Sequence, residues 1–138
     1  MKIYVAGKFE DYRRVREIQE LARKHGHTIT FDWTVVAAMV ENTGQRPTED
    51  LERENAGKDL WGVKTAHLLI ALHHPEALGT LIEVGIAFGT GKQIWLVGPW
   101  GHSVFWADPN VMKVEAQADW QAQLSALNFL LREKSPTA

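Results

Sequence analysis

"HLLIALHHPEALGTLIEVGIAFGTGKQIWLV", residues 67–97, holds two continuous apolar runs on either side of a longer apolar segment that ends in "GTGK". Apolar runs without alternation suit strands covered on both faces, which is how parallel strands in layered α/β proteins are written. The segment between them is long enough for a helix, and parallel neighbours need such a crossover. The stretch therefore predicts a βαβ unit at the centre of a parallel sheet, with one carboxylate, Glu83, inside its helix.

Working outward, the alternation of strand and helix patterns continues. "KIYVA" (2–6) predicts a first strand. Residues 11–24 carry Val15, Ile18, Leu21 and Ala22 on one face and charged residues on the other, with Gly26 closing the helix. "TITFDW" (28–33) alternates as a strand, whereas 35–47 fits either a short helix or a mobile loop ended by Pro47. Thr48 offers an N-cap to a helix running to Ala66, acidic in its first turn and with Lys64 in its last. After a turn-rich loop, "VMKVE" gives a fifth strand and residues 117–133 a final helix. The expected fold is a single-domain, three-layer α/β fold over residues 1–138, its five-stranded, mostly parallel sheet flanked by helices in a flavodoxin/Rossmann-like manner.

A length of 138 residues, 45% hydrophobic content and a formal net charge of -2 describe a soluble globular chain without an electrostatic footprint for nucleic acid. Small molecules and other protein chains are the expected partners. Neither a membrane-length apolar run nor a signal-peptide pattern is visible, so the expectation is a cytoplasmic protein without membrane contact. With no cysteine, thiol nucleophiles and zinc–thiolate sites are excluded. Six tryptophans, four of them between Trp61 and Trp106, serve core packing or subunit contacts.

Glu83 admits two readings. Thr80 followed three residues later by Glu83 has the form of a capping box, which makes the acid structural. Alternatively, a carboxylate among Leu81, Ile82, Val84, Ile86 and Phe88 needs a partner or a task. Ligands in such sheets bind beyond the C-terminal ends of the strands. The loops expected there include "AGKFED" with Gly7 and Phe9, and "HHPEALGT" with Glu76, Ala77 and Gly79. Asp59 follows Leu51 and Asn55 at a spacing of about four, which places it on a stripe facing the sheet. "GTGK" lies at a helix end rather than a helix start, so it is a C-cap and not a phosphate loop. His73 with His74, and His25 with His27, lack a third ligand, and Ser103 lacks the nucleophile elbow. No metal site is expected.

"KIYVAGKF", "KDLWGVKTAHLLIAL" and "GTLIEVGIAFGTGKQIWLV" together resemble the nucleoside 2-deoxyribosyltransferases, in the same order and at similar spacing, over roughly residues 2–98. The resemblance implies that Glu83 attacks the anomeric carbon of a deoxynucleoside or deoxynucleotide, that Tyr4 holds it and that Asp59 supports the site. It implies no cofactor, a free nucleobase as second substrate, and a homo-oligomer with shared active sites, to which Asp108 and Asn110 of a neighbouring chain contribute. That family usually has an acid six residues before the nucleophile, where this chain has Ala77 with Glu76 beside it. The departure leaves open an N-glycoside hydrolase, while a non-catalytic nucleotide-binding module would use Glu83 only as a cap.

Overall fold

In the computed structural model, residues 1–136 are described, and among them five strands form one parallel sheet in the order β2-β1-β3-β4-β5. The strands are β1 (Lys2–Ala6), β2 (Thr28–Ile29), β3 (Leu68–Leu72), β4 (Gln93–Val97) and β5 (Val111–Val114). Every residue of β3 is buried, as its unbroken apolar run requires. Ile3↔Leu68 and Leu68↔Gln93 set the register of β3 against its two neighbours.

The helices are α1 (Tyr12–Lys24), α2 (Thr34–Thr43), α3 (Glu49–Thr65), α4 (Leu78–Gly89) and α5 (Trp120–Glu133). α1 packs with α5 and α3 with α4, which makes the three layers. Thr48 caps α3 as expected, its hydroxyl accepting from the Leu51 N–H at 3.3 Å. No described helix is long and apolar enough to cross a membrane.

Two expectations are corrected, and one open alternative is resolved. The strand predicted over 28–33 stops at Ile29, because the Asp32 carboxylate accepts from the Thr34 N–H at 3.0 Å and turns the chain into α2. The segment 35–47 left undecided is mostly helix, ended by Gly44 in the left-handed region at φ +68°. The final helix begins at Trp120, three residues after the expected start, since the Asp119 side chain accepts from the Ala122 N–H at 2.8 Å. The tryptophans divide as well: Trp95 is buried in β4 and Trp106 packs against Phe88, while Trp61 is exposed.

With this strand order the chain leaves β1 for one face of the sheet and β3 for the other. The two loops part at the sheet's switch point and open a crevice, the usual place for a ligand in such folds.

Candidate active site

A cavity of about 650 Å³ occupies that crevice, a size suited to a small organic substrate. Tyr4 reaches it from β1, Gly7 and Phe9 from the following loop, Asp59 from α3, Glu76 and Ala77 from the loop after β3, and Gly79, Thr80 and Glu83 from α4. The structure thus brings eight of the ten expected site residues together. Asp108 and Asn110 are not among them: the Asp108 carboxylate accepts from the Asn110 N–H at 2.8 Å, and the Asn110 carbonyl from Ile94 at the start of β4. That is the opposite end of the sheet within one chain.

The capping box does not form. α4 starts at Leu78 with Ala77 as its N-cap and no side-chain cap, so Thr80 is already helical and Glu83 stands in the second turn. Thr80 is buried, and neither its Oγ1 nor Glu83 Oε2 has a hydrogen-bond partner among the described residues. Freed from the helix start, Glu83 faces the cavity.

Beside it, the hydroxyl of buried Tyr4 donates to Asp59 Oδ1 at 3.4 Å and also interacts with Glu83. Gly62 makes this possible: a Cβ there would lie 2.8 Å from the Tyr4 ring, so only glycine lets α3 approach closely enough to deliver Asp59.

Burial pushes Glu83 from its usual 4.5 up to about 8, with the nearby Asp59 charge adding to the rise and the Tyr4 hydrogen bond opposing it. Burial likewise raises Asp59 to about 6 against the lowering effect of Tyr4. Tyr4 itself is driven far up by burial and by the two carboxylates, so it remains a neutral donor. A tyrosine hydrogen bond and the dipole of α4 both favour the ionised acid, yet the balance at Glu83 lies with the protonated form. Desolvation outweighs one hydrogen bond, and the dipole fades beyond the first turn.

Several lining residues were not singled out as site residues from the sequence. Phe9 stacks on Trp33 with centroids 6.3 Å apart at 27°, while the Trp33 indole N–H donates to the Val5 carbonyl at 2.8 Å. Arg46, Glu52 and Asn55 complete a polar wall. Only Asn55 carried a signal, its place on the stripe with Asp59. Glu76 pairs with Lys8 at 3.9 Å and is largely exposed, and Ala77 is buried. Among the described residues no three acids or histidines are grouped to hold a metal ion.

A family model described as nucleoside 2-deoxyribosyltransferase matches residues 3–122. Among solved structures, the Clostridium botulinum CMP N-glycosidase BcmB is similar in fold, with a TM-score of 0.65 at 18% identity, over 94% of this chain and 99% of that chain. No curated protein sequence matches.

Proposed function

Because the chain belongs to the nucleoside 2-deoxyribosyltransferase family, and is thus an enzyme of N-glycosidic bonds, we propose that it cleaves the bond between base and sugar in deoxynucleosides through a deoxyribosyl–Glu83 intermediate. The observation that carries this is the Glu83 carboxyl, with a buried, unpartnered oxygen on the cavity wall, beside a neutral phenol that also reaches a second acid. Such a carboxylate gains most when a positive charge develops next to it. Loss of a base from C1′ passes through an oxocarbenium-like transition state that supplies this charge.

In the step, an ionised Glu83 oxygen bonds to C1′ as the C1′–N bond breaks. The bonding pair leaves with the base, which takes up a proton from water in the cavity, since Ala77 offers none. Tyr4 orients the nucleophile and Asp59 holds Tyr4. The deoxyribosyl ester is then resolved by the nitrogen of a second base, which gives transfer. Besides Glu83, four acids line the cavity (Glu10, Glu52, Asp59 and Glu76) against two cations, Lys8 and Arg46. This balance favours a neutral nucleoside over a 5′-nucleotide. Asp108 and Asn110, remote within one chain, would serve the site of a second copy.

Hydrolysis is the second reading, and Ala77 is the observation that favours it. A methyl group neither protonates a departing base nor holds an incoming one, and Glu76 is engaged with Lys8.

The test is incubation with deoxynucleosides, with and without a free base, followed by chromatography and intact mass. Wild-type protein should release base and gain the mass of one deoxyribosyl group, while Glu83→Ala should do neither, yet stay folded. Near-native turnover in Glu83→Ala would remove the nucleophile assignment.

A further inference from the structure

The outward acids of α3 are paired within the helix, Glu49 and Asp50 with Arg53 and Glu54 with Lys58. The cavity side differs. The side chains of Glu52, Asn55 and Arg46, just ahead of the helix, line the cavity and have no partner among the described residues. Asn55 and Glu52 precede Asp59 by four and seven residues, so the three share one face of α3. At the rise of an α-helix, Asn55 stands about 6 Å and Glu52 about 10 Å along the axis from Asp59. A polar ladder therefore climbs from the acids beside Tyr4 towards the mouth. The same cavity has a flat apolar wall, the Phe9–Trp33 stack with Val36 and Val40.

A flat apolar wall together with free polar groups matches a planar ring with a hydrogen-bonding edge. In the loop after β3 the Ala77 side chain offers no polar atom, and Glu76 is largely exposed with a long 3.9 Å pair to Lys8, so that edge is left to α3. We propose that this face of α3 reads the outer edge of the nucleobase, and that the substrate is a nucleoside whose base carries an exocyclic amine beside an accepting ring nitrogen, as in cytosine and adenine. Glu52 accepts from the amine, Arg46 donates to a ring acceptor beside it, and Asn55, which can do both, bridges them. Thymine and uracil present carbonyls where the amine would be, which repel a carboxylate and leave it unpaired. The inference rests on the assignment of Glu83 to the sugar, which places the base above it.

The experiment measures kcat/KM for deoxycytidine and thymidine with wild type, Glu52→Gln and Asn55→Ala, with melting curves to confirm folding. Wild type should favour deoxycytidine by at least about tenfold, the discrimination of one good polar contact to a base edge. Glu52→Gln, whose amide donates to a carbonyl, should cut that ratio by about tenfold, chiefly through KM; Asn55→Ala should lower kcat/KM for deoxycytidine. A wild-type ratio within about twofold, or an equal loss on both substrates in Glu52→Gln, overturns base reading while leaving Glu83 as nucleophile. If wild type cleaves neither these two nor deoxyadenosine and deoxyguanosine, the proposed function fails instead. Calorimetry with free cytosine and free thymine then decides the α3 face: a cytosine preference lost in Glu52→Gln upholds it, and equal binding of the two overturns it.

Discussion

Replacing Glu83 with glutamine should change how stability depends on pH. A carboxyl whose folded pKa is about 8 against an ordinary 4.5 holds its proton more tightly when folded. The resulting stability is fully present below about pH 4.5 and is lost as pH rises through about 8. At about 1.4 kcal/mol per tenfold change in proton affinity, the limit is about 5 kcal/mol; solvent entering the cavity reduces this to roughly 2–3 kcal/mol. Asp59, raised to about 6, adds a decline of the same sign at lower pH in both proteins, so the difference between them isolates Glu83. For a chain of this length, 2–3 kcal/mol corresponds to about 5–10 °C in Tm. The glutamine variant keeps the side-chain shape but cannot ionise. It should match wild type in Tm near pH 5 and exceed it by about 5–10 °C near pH 9. Circular-dichroism melts at constant ionic strength across pH 5–9 measure the difference. A Tm difference that stays constant over that range would refute the claim that Glu83 is ionised at a cost.

Tyr4→Phe removes the hydrogen bond that lowers Glu83, so the rise of kcat/KM with pH should move to higher pH than in wild type; an unmoved profile would show that Tyr4 does not touch the nucleophile in the working enzyme. The chain should form a closed homo-oligomer, using exposed apolar groups such as Leu78, Ile82, Val104 and Phe105, and light scattering that finds an active monomer at assay concentration would contradict this. Ala77→Asp should raise the ratio of transfer to hydrolysis, read as base exchange against free-sugar release, by giving the incoming base an acid; no change in that ratio would remove Ala77 from the account of specificity.

The sheet was legible because its central strands are written in uninterrupted apolar residues: "LLIAL" and "IWLV" have no solvent face, as a covered parallel sheet with two such runs joined by a helix requires. Thr48 was legible as a cap because a cap is a local hydrogen bond. β2 was misjudged at its end because "TITFDW" alternates correctly, yet Asp32 spends its carboxylate on Thr34 and Gln19, and edge strands have little pairing to lose. Tyr4 was named as a site residue from motif likeness alone, whereas Asp59 and Glu83 also carried signals of their own, a place on the stripe facing the sheet and a lone charge in an apolar helix. Their meeting depends on Gly62, where a missing Cβ lets α3 lie against the Tyr4 ring, and that is a contact across 58 residues of chain that no local pattern encodes. The start of α4 was likewise a tertiary decision. Thr80 and Glu83 satisfy the capping pattern, but the helix begins at Leu78, so both side chains turn to the cavity. The charge of Glu83 was the least legible property. It depends on how much water the surrounding elements exclude, and that exclusion exists only once β1, α3 and α4 have closed around it.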